Sequence, residues 1–278
     1  MAICAYCKQD KKLTKEHVWP DCFLKKRQYI SAHFSAKGKK VHGADYVVKD
    51  VCEDCNSIIL SKLDTYFCEL TDKYFERSID PDEEIIFEYD YNLLSRSLLK
   101  IAYNTARTGT SDPTALSNAS QYILGKTKSL NGLIILLEIV GPNEIVAIGE
   151  QDFIREVVPP LGYRSALMKL TTPNGHKVLS RLVSVNAFYF HLLIPLHKLT
   201  EEEINQIKNE ALAALKGAVY IDDKGIAIAR VCDRVWLNTI FAGIASYREE
   251  YKNFFEKERE NKWGSGLVSC ILSSCYVI

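Results

Sequence analysis

Four cysteines in two closely spaced pairs are the residues of this chain best suited to chemistry. One stretch reads CAYCKQDKKLTKEHVWP and a later one reads VCEDCNSIILSKLD, so that Cys4 and Cys7 form one Cys-x-x-Cys pair and Cys52 and Cys55 form another. Zinc accepts a tetrahedral set of four thiolates, and two such pairs complete that set as a closed structural site. Metal binding would then supply the folding free energy of a segment that has little apolar surface to bury. The alternative is two unrelated pairs, one of them a redox motif, but the βαβ pattern that accompanies a thioredoxin-like motif is missing.

An acid, an imidazole and an amide accompany these cysteines. Glu16 and His17 lie between the two pairs, and Asn56 directly follows the last cysteine. Carboxylate and amide oxygens are hard ligands that suit Mg²⁺ or Mn²⁺ rather than a thiolate-bound zinc. An adjacent histidine is then available to activate a water molecule. Hydrolysis of a phosphodiester needs this combination, because a base must generate the nucleophile and a cation must neutralise the charge that grows on the phosphate.

At these residues the sequence resembles the zinc-containing HNH (ββα-metal) endonucleases. The matching motifs are CAYC, KEHVWP, CEDCN and LSKLD, which together cover about the first quarter of the chain. The resemblance implies that Glu16 ligates the catalytic metal, that His17 is the general base and that Asn56 is a second metal ligand. An acidic residue or a histidine on the following helix often completes the metal site in this family, and Asp64, about two turns past Asn56, is the candidate here.

The sequence departs from the commonest family pattern at two places. Glu16 stands where the family more often has Asp, and the Asn usually found shortly before the second cysteine pair is missing from the segment DYVVKD that begins at Asp45. What orients the histidine loop is therefore left open. The non-functional alternatives are a half-buried loop histidine at His17, a solvated acid at Glu16, and a polar helix position at Asp64.

The basic residues are concentrated near the cysteine pairs. The whole chain has no net charge, but residues 1–45 contain ten Lys or Arg against four Asp or Glu, a local charge of +6. A basic segment of this kind favours contact with a phosphate backbone, and DNA is the substrate that the family resemblance favours. A solvated face is the alternative explanation. The candidate nucleic-acid contacts are Lys15, Lys25, Lys26, Arg27, Lys39 and Lys40.

The predicted fold class is α+β, with an N-terminal zinc-bound ββα-metal module followed by a mixed α+β domain whose sheet is largely antiparallel. The acidic, proline-containing stretch SIDPDEE over residues 78–84 is the predicted boundary, which gives a nuclease domain over 1–78 with a basic insertion at 21–51, and a second domain over 85–278. The second domain would bind a signal molecule, mediate a homodimer or extend the DNA surface.

Periodicity and turn residues predict the elements. Helices are expected over Ser57–Phe75, Tyr91–Thr108, Pro113–Thr127, Thr200–Lys216 and Asp233–Glu260, the fourth of them opened by a capping box of Thr200 and Glu203. Strands are expected over Gly132–Val140, Glu144–Ile148, Arg164–Thr171 and Lys177–Leu193, with a hairpin turn around Pro173 to Gly175. The apolar tail over 263–278 is expected to dock on the second domain or on a partner.

Composition favours a cytoplasmic globular protein. The apolar share of 47% and the charged share of 25% are ordinary for that class. No apolar run approaches the ~20 residues of a membrane-spanning helix, and a signal peptide is not expected. The five cysteines outside the two pairs are scattered and odd in number, which predicts free thiols in a reducing cytosol: Cys22, Cys68, Cys232, Cys270 and Cys275.

Two classes of function remain. The first is a metal-dependent endonuclease that carries a structural zinc and a catalytic Mg²⁺ or Mn²⁺. By family resemblance it would be a phage-defence or mobile-element nuclease. The second is a non-catalytic zinc module that binds nucleic acid or protein, or a scaffold whose active part is the second domain.

Overall fold

The computed structural model describes residues 2–26, 30–35, 40–42, 47–108, 113–148, 153–158, 160, 162–232 and 270–272. For residues 26, 30–35, 40–42, 143–148, 153–158 and 270–272 it describes the backbone alone. The expected helix Asp233–Glu260 and most of the tail over 263–278 lie outside the described residues, as do Arg27, Lys39 and Cys275.

Two antiparallel strands followed by a helix form the N-terminal region. In chain order, the elements that precede the helix are β1 (Ala2–Ile3), β2 (Asp10–Lys11), β3 (Leu13–His17), α1 (Asp21–Lys26), β4 (Ile30–Ser35), β5 (Lys40–His42) and β6 (Val47–Cys52). The two strands are β3 and β6. Strand β3 pairs with β6, so that Leu13 lies opposite Cys52 and His17 lies opposite Val47, with a register shift between Thr14 and Glu16. Strand β4 pairs with β5 and, in parallel, with β16 (Cys270–Leu272).

The helix after β6 confirms the expectation for Ser57–Phe75 and begins three residues earlier. It consists of α2 (Ser61–Leu70) with π-helical segments on either side, Asp54–Leu60 and Thr71–Phe75. Leu63, Phe67 and Leu70 are buried along one face, because residues three and four apart lie on the same side of a helix. The helix α3 (Tyr91–Thr108) has the predicted bounds. The predicted helix Pro113–Thr127 is instead two short ones, α4 (Thr114–Asn118) and α5 (Ser120–Ile123).

The largest sheet has seven strands and is antiparallel at every pairing except one. Its strands are β7 (Glu84–Glu88), β8 (Ile134–Val140), β11 (Tyr163–Met168), β12 (Val178–Val185), β13 (Phe188–Pro195), β14 (Val219–Tyr220) and β15 (Ile226–Cys232). They are ordered β11-β12-β13-β8-β15-β7, with β14 beside β8, and β15 runs parallel to β8. The expected mixed α+β class with a largely antiparallel sheet is therefore confirmed.

Most local predictions for this region hold. The turn around Pro173 to Gly175 does join two antiparallel strands, β11 and β12. The stretch Lys177–Leu193 is two strands rather than one, because Asn186 has a φ of 48° and turns the chain between them. Strand β9 (Asn143–Ile148) pairs with β10 (Phe153–Val158) and not with β8. The helix α6 (Glu201–Ala214) opens with the predicted capping box.

One hydrophobic cluster extends across the predicted domain boundary. It includes the cysteine cluster, the buried face of α2, most of α3 and one face of the large sheet. Aromatic rings join these parts: the ring of Trp19 meets that of Tyr163 of β11 edge to face at a centroid distance of 4.9 Å, and the ring of Phe75 lies 4.9 Å from that of Phe188 of β13. The sheet therefore packs on the N-terminal region rather than standing apart from it. No helix among the described residues is both long and apolar enough to cross a membrane.

A disulfide corrects the prediction that all cysteines outside the two pairs are free. Cys22 of α1 and Cys68 of α2 are bonded, with their Cα atoms 6.5 Å apart. The two helices pack on each other, which brings together cysteines that are 46 residues apart in the chain. Counting and spacing could not show this pairing, because it depends on the packing of two helices. Cys232 is buried.

Candidate functional site

The four cysteines of the two pairs converge into one cluster. The Sγ atoms of Cys4, Cys7, Cys52 and Cys55 all lie within 4.8 Å of one another. The Sγ atoms of Cys7 and Cys52 are 3.7 Å apart. A tetrahedral zinc with Zn–S bonds of about 2.3 Å would separate its sulfurs by about 3.8 Å. The cluster is thus able to hold a metal ion such as zinc, and its closed set of soft ligands is typical of a structural site.

Backbone hydrogen bonds hold the first cysteine pair in a tight turn. Lys8 adopts a φ of 61°, and the turn is closed by hydrogen bonds from Lys8 N to Cys4 O (3.0 Å) and from Cys4 N to Gln9 O (2.9 Å). The N–H of Cys52 donates to the Cys4 sulfur at 3.3 Å. Burial raises the pKa of the Cys4 thiol, but several backbone N–H groups outweigh it and lower the pKa to about 7. Burial raises the pKa of Cys55, so a bound cation is needed to keep that sulfur as a thiolate.

Two carboxylates beside this cluster share one buried ammonium. Glu16 of β3 and Asp64 of α2 both form ion pairs with Nζ of Lys100 on α3, the Glu16 contact being 2.5 Å. The side chains of Lys100 and Glu16 are 1% and 4% exposed, whereas that of Asp64 is 21% exposed. The three groups therefore form a short row from the interior towards solvent. Removing one partner of a buried ion pair costs about 3–5 kcal/mol, so these charges fix one another.

The electrostatics of this row follow from its burial. Burial raises the pKa of both the Glu16 and the Asp64 carboxyl, and the Lys100 charge only partly opposes that rise. Burial lowers the pKa of Lys100, but the two carboxylates outweigh it and raise the pKa above its usual value. Lys100 is therefore an ammonium at neutral pH. The charge of His17 makes a smaller contribution that lowers the pKa of both carboxyls.

The remaining two site residues are fixed through β3. Asn56 donates from Nδ2 to Thr14 Oγ1 (2.9 Å) and to Lys15 O (2.8 Å). Since both contacts use the amide nitrogen, the amide oxygen is left to accept or to ligate. His17 is half-buried, and its backbone carbonyl accepts a 3.0 Å hydrogen bond from Nδ2 of Asn104. The structure therefore joins Glu16 and Asp64 through Lys100, places His17 next to Glu16 in β3 and ties Asn56 to the same strand.

These side chains do not by themselves form a second compact ligand set. Within the described ranges, the four cysteines are the one group of three or more His, Cys, Asp or Glu whose ligand atoms all lie within 4.8 Å of one another. Glu16 and Asp64 have the donor chemistry for a hard divalent ion, and each uses one oxygen on Lys100. Each carboxylate keeps a second oxygen that its ion pair with Lys100 does not use.

The residues expected to contact nucleic acid are only partly described. Lys15 is exposed on β3. Lys25 is exposed on α1 and forms a 2.5 Å ion pair with Asp21, which reduces the local positive charge. Only the backbone of Lys26 and Lys40 is described, and Arg27 and Lys39 lie outside the described residues.

Sequence reasoning missed the contribution of α3. Its residues Lys100, Tyr103, Asn104 and Arg107 recur at the spacing of one helix face, and that face contacts the cysteine-bearing region. Tyr103 donates to Ala5 O at 3.1 Å, and Arg107 pairs with Asp50 at 3.0 Å. The available signal was a lysine and an asparagine inside an otherwise apolar pattern, since such residues are buried only when they have partners.

Comparison of the chain with protein-family models, with curated proteins and with solved structures finds no match.

Proposed function

We propose that this protein is an endonuclease that hydrolyses phosphodiester bonds in DNA, with the four-cysteine cluster as its structural zinc site. The observation that supports the proposal is the meeting of Glu16 and Asp64 on one buried ammonium, with His17 next to Glu16 in the chain, on a β–β–helix arrangement formed by β3, β6 and α2. A base next to two carboxylates is the combination that phosphodiester hydrolysis requires.

Each residue of the site has a distinct role in this proposal. His17 accepts the proton of the attacking water. Glu16, Asn56 and Asp64 would hold a Mg²⁺ or Mn²⁺ ion, which when bound supplies positive charge to the phosphate and the leaving oxygen. The hydrogen bond from the side chain of Asn104 to the carbonyl of His17 would hold the main chain that carries this base. The exposed Lys15 and the basic residues of the 21–51 segment would contact the phosphate backbone.

The biological role and the assembly are further parts of the proposal. The resemblance of the CAYC, KEHVWP and CEDCN motifs to HNH nucleases favours a phage-defence or mobile-element nuclease. The segment after residue 85 would supply control, targeting or a homodimer contact.

A plasmid assay tests the proposal. Purified protein is incubated with supercoiled plasmid in the presence of Mg²⁺ or Mn²⁺ and without added divalent ion, and nicked and linear products are measured. Because a positioned general base typically contributes 10²- to 10⁴-fold, His17→Ala should lower the rate by at least about 100-fold. His197→Ala is the matched control, since His197 is exposed and far along the chain from the site. Zinc content should be the same in all three proteins.

A second candidate is a non-catalytic zinc module that binds nucleic acid. It is favoured by the ion pairs of Glu16 and Asp64 with Lys100, which partly neutralise the pair without any metal. Binding of DNA with no nicking by wild type under any divalent ion would select this candidate and reject the nuclease.

A further inference from the structure

We propose that α3 positions the Glu16–His17 dipeptide through two residues, Lys100 and Asn104. Lys100 holds the side chain of Glu16 through its ammonium, and Asn104 holds the main chain of His17 through its amide. This inference rests on the proposed function, because positioning has a consequence only if the dipeptide takes part in a reaction.

The geometry of a helix against a strand accounts for this pair of contacts. Lys100 and Asn104 are four residues apart and so lie one above the other on the same face of α3. Glu16 and His17 are neighbours in β3, and neighbouring side chains on a strand point to opposite faces. The helix can therefore contact the side chain of the first residue and the carbonyl of the second. Glu16 is buried and His17 is half-buried.

Lys100 pairs with the two carboxylates and is not itself a ligand of the metal ion. Its side chain is 1% exposed, so moving it away would leave a buried ammonium without partners, which is strongly unfavourable. Asp64, the partner on the outer side, is 21% exposed. Lys100 pairs with Oε1 of Glu16 and Oδ1 of Asp64, which leaves the second oxygen of each carboxylate for a metal ion. A group that orients ligands in this way typically changes activity 10- to 100-fold when removed.

Helix α3 also supplies a residue that holds the histidine-bearing strand, a role that the sequence left unassigned. The DYVVKD segment lacks the asparagine that commonly precedes the second cysteine pair in the resembling nucleases. Asn104, which comes from a different part of the chain, donates to the carbonyl of His17. Asn104 is itself held by Tyr6, whose hydroxyl donates to Oδ1 at 2.6 Å.

Three substitutions on the full-length, zinc-loaded protein test the inference. Lys100→Met removes the charge and keeps the length, Lys100→Arg keeps the charge, and Lys62→Met removes an exposed lysine of α2 as the matched control. Zinc content and circular dichroism establish that each variant is folded. The rate of plasmid nicking is then measured against plasmid concentration, so that kcat and KM are separated.

We expect Lys100→Met to lower kcat by 10- to 100-fold with KM within about twofold, and Lys100→Arg to recover part of kcat. Lys62→Met should behave as wild type. A Lys100→Met protein that nicks plasmid at the wild-type rate, or faster, overturns the inference. So does a loss of rate that is fully explained by a smaller folded, zinc-bearing fraction.

A second measurement does not depend on activity. With ¹³C-labelled histidine, the imidazole signal of His17 is identified by its absence in His17→Gln. Asn104→Ala and Lys100→Met should shift or broaden that signal, and Lys62→Met should leave it unchanged. If wild type cuts no DNA, the nuclease proposal fails while this measurement still decides the positioning. An unchanged His17 signal in both variants overturns it. Should Lys100→Met fail to fold, Asn104→Ala and Lys100→Arg carry the test.

Discussion

Replacing Asn104 by alanine is the sharpest test of how α3 is attached to the cysteine-bearing region. Asn104 is fully buried, and its side chain makes three hydrogen bonds: it accepts from the hydroxyl of Tyr6 (2.6 Å) and from Nη2 of Arg107 (2.9 Å), and it donates to the carbonyl of His17 (3.0 Å). Arg107 keeps its ion pair with Asp50 after the change. The Tyr6 hydroxyl, in a ring that is 0% exposed, loses its hydrogen-bond acceptor.

The expected cost follows from these groups. A buried polar group left without a partner costs about 1–3 kcal/mol, and the lost bond to His17 adds about 0.5–1.5 kcal/mol. Asn104→Ala should therefore lower the free energy of unfolding by about 2–4 kcal/mol. Tyr6→Phe removes the donor and leaves Asn104 bonded to Arg107, so it should cost only about 1 kcal/mol.

The double variant isolates the cost of leaving the Tyr6 hydroxyl without a hydrogen-bond acceptor. When Tyr6→Phe is combined with Asn104→Ala, no hydroxyl is left unpaired. The double variant should therefore lose less unfolding free energy than the sum of the two single variants, by at least about 1 kcal/mol. Urea denaturation followed by circular dichroism, with zinc in the buffer, measures all three. Asn118→Ala, at an exposed position of α4, is the control and should stay within about 0.5 kcal/mol of wild type. Additive costs, or a cost below 1 kcal/mol for Asn104→Ala, would refute the reasoning.

Three further outcomes are expected. Thr200→Ala removes the oxygen that accepts from Glu203 N (3.2 Å) and should cost about 1 kcal/mol at pH 7. The hydrogen bond from Thr200 N lowers the pKa of the Glu203 carboxyl from 4.5, so the stability that this carboxylate contributes is complete above pH 4.5 and is lost as the pH falls through the lowered value. The difference in unfolding free energy between wild type and Glu203→Gln in urea titrations should therefore narrow as the pH falls below 4.5, and a constant difference would speak against the box. Alkylation without reductant should leave Cys22 and Cys68 unmodified in a peptide map, and prior reduction should expose both; labelling of either one before reduction contradicts the disulfide. Cys55→Ser should lower zinc from one ion per chain to none and speed amide hydrogen exchange in 2–17 and 47–60 far more than in α6; equal exchange in both regions would show that the metal does not hold the N-terminal strands.

The parts of this fold that depend on neighbouring residues were readable from the sequence. The apolar spacing of α3 predicted its bounds, and Thr200 with Glu203 predicted the start of α6. Each of these signals is carried by residues that are close together in the chain. The convergence of the four cysteines was predictable because four thiolates that bind one zinc ion must surround it as a tetrahedron. The order of the large sheet was not, since β8 lies between β13 and β15, which are distant in the chain.

The candidate site divides in the same way. Glu16, His17 and Asn56 stand out because each adjoins a motif, but the role of Lys100 depends on which face of α3 meets β3. Its partners are 84 and 36 residues away, at Glu16 and Asp64. A lysine within LLKIAYN could equally have faced solvent, and only the packing of α2 against α3 places it between two acids. The Cys22–Cys68 bond escaped prediction for the same reason.

Strand β3 is held from two sides, and this explains how it can bury the acid Glu16 next to His17. On one side, β6 and Asn56 attach it to the segment that carries Cys52 and Cys55, so that a metal in the cysteine cluster fixes the strand through its register. On the other side, α3 supplies the ammonium that a buried Glu16 requires. Neither support suffices alone, because the first places the backbone and the second neutralises the side chain. Helix α3, which follows the predicted boundary, therefore contributes to the candidate site itself, and a fragment limited to residues 1–78 would lack the cation that pairs with Glu16.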